Sequence, residues 1–242
     1  MMRKNRLQDV CSGLLLCAVA AGCNMLLVCG CGPSEFDRSL PLYKTDQTDS
    51  SHPGYRRTTL TSGNTVYEND YAEEALQLVN VSPTQIVGRL NGWGEKTYLY
   101  AIPGQDPKNY VARVEEMYPD GIFRNTKLAP FDWRSARFQK IEFAMPTGPA
   151  AHKTSTNSVL IDEVMAVLKE AKPSVPPSCV PGSFTNVTAI FLYSDQLPGL
   201  KFAPGVYMDP TGPYYLGDSQ SSKTWFRAGP LFSAWVQTPS SR

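Results

Sequence analysis

Along this chain, apolar and polar positions alternate in short runs more often than they recur at helical spacing. Gln85 to Leu90 and Lys96 to Ile102 flank the turn-rich Asn91-Gly92-Trp93-Gly94-Glu95. In the second run, Tyr98, Tyr100 and Ile102 alternate with Thr97, Leu99 and Ala101. That pattern predicts a hairpin whose second strand carries apolar bulk on both faces and so lies inside a sheet. Pro103-Gly104-Gln105-Asp106-Pro107 forces a further turn, after which Tyr110 to Glu115, Gly121 to Asn125 and Phe138 to Ala144 read as short strands. Thr185 to Ser194 is apolar on both alternating sets, Val187, Ala189, Phe191 and Tyr193 against Thr188, Ile190 and Leu192, which predicts the sheet's centre. Val206 to Met208 and Tyr214 to Leu216 flank Asp209-Pro210-Thr211-Gly212-Pro213 as a last hairpin, and the aromatic-rich Trp225 to Val236 closes the pattern.

Helical spacing stands out in two places. Thr154 to Lys172 carries Leu160, Ile161, Val164, Leu168 and Ala171 on one stripe. Thr156, Asn157 or Ser158 caps its start, Lys169 and Lys172 suit its last turn, and Pro173 ends it. A shorter helix is predicted over Val66 to Val79, where Tyr67, Tyr71, Ala75 and Leu78 recur while Glu68, Asp70, Glu73 and Glu74 crowd the first turns. Those acids read as a solvated helix face, because they lack the glycine-containing loop that wraps calcium. Between about 32 and 64, Ser, Thr, Asp, Pro and Gly dominate and Leu40, Leu42 and Tyr43 show no sustained period, which predicts a flexible tether.

These elements predict one α+β domain over residues 65–238, an antiparallel or mixed sheet covered by one main amphipathic helix. The 20 prolines and 18 glycines keep helices short. A boundary in the Pro-rich stretch after Pro173 would leave a piece of about sixty residues, marginal by itself, so a single domain is the better count.

The first residues carry a different signal. Arg3, Lys4 and Arg6 precede an uncharged stretch from Val10 to Cys31 in which Leu14, Leu15, Leu16, Val19, Met25, Leu26, Leu27 and Val28 supply the apolar surface. Cations before an apolar stretch hold that end in the cytoplasm and direct the rest of the chain outward. Val28-Cys29-Gly30-Cys31, with a small residue directly before a cysteine, resembles the lipobox of bacterial lipoprotein signal peptides. The resemblance covers residues 1–31 and implies a lipid, palmitate among its fatty acids, on Cys31. Ala20-Ala21-Gly22-Cys23 makes Cys23 the alternative, although Ala20 stands where the family prefers leucine. An uncleaved signal anchor is the other reading, since the stretch approaches the ~20 residues that cross a bilayer. Each of these places the exported part at the cell membrane, facing away from the cytoplasm, in the cell envelope.

Charge narrows the partners. Lys+Arg 23 against Asp+Glu 22 leaves a net +1, too weak a field to draw the chain to nucleic acid. Of six cysteines only Cys179 lies beyond the leader, so no internal disulfide staples the exported part, and Cys179 has no motif that pairs it with His52 or His152. With two histidines and neither G-x-S-x-G, H-E-x-x-H nor S-x-x-K, the sequence lacks the signatures of serine, zinc and penicillin-recognising enzymes, and it calls for no metal and no cofactor. Gly92-Trp93-Gly94 is not a phosphate loop, because Glu95 repels the anion and no helix start follows.

Two functions remain. The first is non-catalytic binding of a protein or a cell-wall glycan, with Tyr207, Tyr214, Tyr215, Trp225 and Trp235 as an exposed aromatic surface. The alternative is an extracytoplasmic hydrolase using paired carboxylates among Asp195, Asp209 and Asp218.

Overall fold

The computed structural model describes residues 38–49, 56–69, 75–79, 85–91, 97–114, 121–144, 152–174, 187–209, 212–218 and 224–238. The chain divides into two units, Met1–Leu40 and Pro41–Arg242. Of the first, residues 38–40 are described, with Arg38 and Ser39 helical. Cys23, Cys31 and the rest of the leader lie outside the described residues, as do His52 and Cys179.

In the second unit, seven strands close a barrel: β1 (Leu42–Asp49), β2 (Arg56–Ser62), β3 (Thr65–Asn69), β8 (Gly121–Asn125), β7 (Tyr110–Arg113), β6 (Tyr98–Ala101) and β5 (Ile86–Asn91), in that spatial order. Every neighbouring pair is antiparallel except the closing one, where Leu42, Tyr43 and Lys44 run parallel to Arg89, Leu90 and Asn91. Its interior is made by Tyr43, Leu60, Tyr67, Leu90, Leu99, Val111 and Phe123, one large side chain from each strand. Each strand therefore needs a single inward apolar residue. The Tyr43 and Tyr67 rings meet edge-on with centroids 5.9 Å apart, and the Tyr67 hydroxyl donates to the Pro107 carbonyl at 2.7 Å. Burial, reinforced by the adjacent Tyr43, pushes the Tyr67 phenol up to about 12. Gly88 makes room for this pair, since a Cβ there would lie 2.7 Å from the Tyr43 ring.

The remaining strands form a second sheet in the order β10 (His152–Ser155), β9 (Lys140–Ala144), β11 (Val187–Tyr193), β13 (Gly205–Met208), β14 (Tyr214–Gly217) and β15 (Trp225–Arg227). On the flank of β11 opposite β9, where Val187–Ala189 pair with β13, Leu192 and Tyr193 pair with β12 (Leu200–Phe202), which pairs in turn with β4 (Leu76–Leu78). Helix α1 (Ser158–Glu170) covers one face of this sheet, with Leu160, Ile161, Val164, Met165 and Leu168 buried. Its N-cap is Asn157, whose side chain accepts from Val159 N at 3.0 Å.

Helix α2 (Pro230–Gln237) is held at both ends by side chains from elsewhere. The Glu163 carboxylate of α1 accepts from Leu231 N at 3.1 Å and Phe232 N at 2.8 Å, satisfying amides that Gly229, the N-cap, leaves uncapped. At the other end, the Lys153 ammonium from β10 donates to the carbonyls of Trp235, Val236 and Thr238. An anion at the N-terminus and a cation at the C-terminus both complement the helix dipole.

Barrel and sheet share a wall. On β7 and β8, Val111 and Phe123 point into the barrel while Tyr110, Ala112 and Ile122 belong to the core that α1, α2 and the second sheet bury. Ile102, Leu76, Leu78, Trp133, Leu200 and Phe202 continue that core between them. The loop after β6 meets the β11–β12 turn closely, Gln105 Nε2 donating to Pro198 O at 2.8 Å, and just past β4 Val79 N donates to Gly199 O of the same turn at 2.9 Å. Gly199 stands at φ +76°, and a Cβ on it would lie 2.1 Å from Pro103 O, so only glycine passes here.

Three expectations are corrected. Among the described residues the fold is a mostly β structure with a closed barrel and two full helices, α1 and α2, not one α+β sheet under one main helix. Residues 32–64 were expected to form a tether, yet they include β1 and β2, because threonines and arginines on the outer positions conceal the one inward residue each strand needs. The helix expected over Val66–Val79 is replaced in the described residues by β3 and β4. Tyr67 fills the barrel, while Leu76 and Leu78 alternate into the shared core.

Candidate functional site

The C-terminal aromatics do not form the expected exposed surface. Along β14, alternation sends Tyr214 toward the helices and Tyr215 to the opposite face. Tyr214 packs on Phe232 with centroids 6.2 Å apart, and Trp235 packs on Phe232 at 5.9 Å and Phe143 at 6.3 Å. On the other face, Tyr207, Tyr215 and Trp225 are buried against one another, with centroids 6.3 and 5.9 Å from Tyr207. These rings hold the sheet together.

The carboxylates considered for hydrolysis are set apart by strand register. Asp209 follows Met208, which pairs with Tyr214, whereas Asp218 follows Gly217, which pairs with Gly205 at the other end of the same hairpin. Asp195 lies past Tyr193, at the end of β11 opposite to the Val187–Tyr207 pair that leads to Asp209. Asp195 accepts from Gln139 Nε2 at 3.1 Å, and the Asp209 carbonyl accepts from Gly212 N at 3.0 Å to close the β13–β14 turn. Among the described residues, no three His, Cys, Asp or Glu gather as metal ligands.

The chemistry-bearing cluster lies on the face of the second sheet turned away from α1. On β9, Ile141 and Phe143 are buried in the shared core while Lys140 and Glu142 point the other way; on β11, Ile190 and Leu192 are buried while Phe191 and Tyr193 are half-exposed on that other face. Register places Tyr193 between Lys140 and Lys201, and Phe191 beside Glu142, which has Thr154 on its far side. The Tyr193 hydroxyl donates to Glu142 Oε2 at 2.7 Å. Lys140 Nζ lies 3.8 Å from that same oxygen and 3.7 Å from the Tyr193 ring centroid. Lys201 Nζ stands 3.7 Å from the Phe191 centroid. His152 Nδ1 approaches Glu142 Oε1 at 3.6 Å and is itself largely exposed. Burial raises the Tyr193 phenol, and the hydrogen bond to Glu142 and its charge raise it further.

Chemically, the described residues here form a surface of rings beneath ammonium groups, beside the Glu142 carboxylate that is already engaged. It is suited to holding a ligand through charge and hydrogen bonds. The sequence signal for it was present: Lys-Ile-Glu-Phe in β9 alternates polar with apolar and so marks one open face, beside a strand whose open-face positions are aromatic.

Replacing Glu142 by Gln should bring the Tyr193 phenol partway back toward its ordinary value, leaving the part due to burial. Ultraviolet titration of the phenolate, with a Tyr193→Phe variant to assign the signal, checks this; an unmoved titration would mean that Glu142 does not act on Tyr193.

Compared with protein-family models, curated proteins and solved structures, the chain shows no significant match to any. Its role is therefore read from the chemistry of this sheet face.

Proposed function

We propose that the chain is a membrane-tethered lipoprotein of the cell envelope that binds a cell-wall glycan or a protein, without catalysis, on the open face of its second sheet. The observation that carries this reading is the side-by-side arrangement of Lys140, Tyr193 and Lys201 with Thr154, Glu142 and Phe191, Thr154 exposed and the others half-buried, on a face that neither helix covers. Tyrosine and lysine there join apolar area to polar tips, the combination that binding surfaces favour. The tether is supported by Arg3, Lys4 and Arg6 before the uncharged Val10–Cys31 stretch.

Two measurements test the two halves. Full-length protein in mild detergent is mixed with purified cell-wall sacculi and sedimented. It should be retained, and both Tyr193→Ala and the surface block Thr154→Trp should lower retention about tenfold while the thermal midpoint of the Thr154 variant stays unchanged. Retention that ignores both substitutions contradicts the assignment of the face. For the tether, mass spectrometry of the mature N-terminus should find a lipid-modified Cys31; a free terminus downstream of Cys31 contradicts the anchor.

A further inference from the structure

We infer that one end of the barrel, the mouth from which β1 starts, docks on an anionic lipid surface. This rests on the Cys31 anchor proposed above and adds the orientation in which the folded part meets the membrane. Strand register gathers five segments at this mouth: the start of β1, the β2–β3 turn at Gly63-Asn64, the start of β5, the β6–β7 loop and the residues that follow β8.

Two lysines at the mouth are placed by one side chain. Asn125, the last residue of β8, donates from Nδ2 to Lys108 O at 2.8 Å and accepts at Oδ1 from Lys127 N at 3.0 Å. Asn125 N and Thr126 N add bonds to Asn109 O and Val66 O, at 2.8 and 3.0 Å. The backbones of Lys108 and Lys127 are thus held beside each other, and both residues are exposed. Lys44, exposed near the start of β1, adds a cation at the same end. Apolar side chains accompany them: Leu42 and Val79 are left exposed at 39% and 43%. Leu42 opens β1, and Val79 N donates to Gly199 O where that turn meets Pro103, at the start of the β6–β7 loop. Cations beside exposed apolar groups suit the boundary between lipid headgroups and acyl chains.

Charge distinguishes this end from the other. Asp106 shares the β6–β7 loop, with its carboxylate turned onto Lys108 N at 2.9 Å, and Glu68 of β3 is paired with Arg124 on the barrel wall. Toward the far end of β1, Asp46 and Asp49 stand among Arg56 and Arg57 of β2, so both signs mix there. Chain reach selects the same end. Between a lipid on Cys31 and the first residue of β1 lie residues 32–41. Fully stretched they cover at most about 35 Å, and any bend shortens that. The eight residues of β1 carry its far end up to about 26 Å farther from the attachment point. Laying the far end on the membrane would use nearly the whole reach alongside the barrel, whereas the near mouth needs little of it. The lipid keeps the lysines close to the headgroups, and the lysines orient the folded part.

The test reconstitutes the mature protein into vesicles of phosphatidylcholine, alone or with about one third phosphatidylglycerol, that contain a headgroup-spin-labelled lipid as quencher. In a Cys179→Ser background, a fluorophore is attached at Asn64→Cys in the β2–β3 turn or at Asp49→Cys at the far end of β1. On anionic vesicles the probe at 64 should be quenched at least about threefold more than the probe at 49, and the difference should shrink on neutral vesicles and as salt screens the lysines. Lys108→Glu with Lys127→Glu should abolish the difference at an unchanged thermal midpoint, and Lys108→Arg with Lys127→Arg should keep it. Equal quenching of the two probes, a difference that survives the glutamate pair, or the same difference on neutral lipid would each overturn the inference. If the protein floats with the vesicles while the probes are quenched alike, this inference alone fails. If it does not float and Cys31 carries no lipid, the anchor fails with it.

Discussion

The structure depends on one wall with two buried faces. Strands β7 and β8 send Val111 and Phe123 into the barrel and Tyr110, Ala112 and Ile122 into the core under the helices. A strand buried on both sides forfeits solvent for all its side chains, so its stability comes entirely from what packs against it. The barrel cannot lose its outer partner without exposing Tyr110 and Ile122, nor the second sheet lose the barrel without uncovering Leu76 and Leu78 of β4, the strand that lies against β8. Apolar area of this extent is worth roughly 25 cal/mol per Å² removed from water, and it is non-directional. Direction comes from contacts such as Gly199 against Pro103, where a Cβ would collide.

That arrangement also determines which surface is left for function. With the barrel and both helices gathered on one side of the second sheet, the other face of β9, β11 and β12 carries Lys140, Glu142, Phe191, Tyr193 and Lys201. The clamping of α2 by Glu163 and Lys153 keeps the covering helices on their own side. On β9, β11 and β12 the proposed surface and the core thus divide along the alternation of single strands, whereas β13, β14 and β15 bury Tyr207, Tyr215 and Trp225 on that same face.

Period and length decided which elements were legible in the sequence. Helix α1 was legible because its stripe repeats for three turns and its cap and terminating proline agree with it. The hairpin β5–β6 and the strands β7, β8, β9, β11, β13 and β14 were legible from alternation between turn residues. The barrel was not, because a closed ring of seven strands needs only one inward residue from each. Leu60 amid Arg-Arg-Thr-Thr and Thr-Ser resembles a solvated linker until its neighbours are known. Tyr67, Ala75 and Leu78 fell at helical spacing while belonging to two different cores. The candidate surface was misplaced for a related reason. Counting rings near the C-terminus ignores that Tyr214 and Tyr215 must face opposite ways, and the pinned pairs of Lys140 with Tyr193 and Lys201 with Phe191 join residues far apart in sequence.

Native-state hydrogen exchange in rising denaturant addresses the shared wall most directly. If barrel and sheet stand on one wall, the slowest amides of β2 and β3 and those of β9 and β11 merge onto a single global opening with one free energy and one denaturant slope. Barrel amides that exchange through a separate, lower-energy opening while Ile190 and Leu192 stay protected would contradict it.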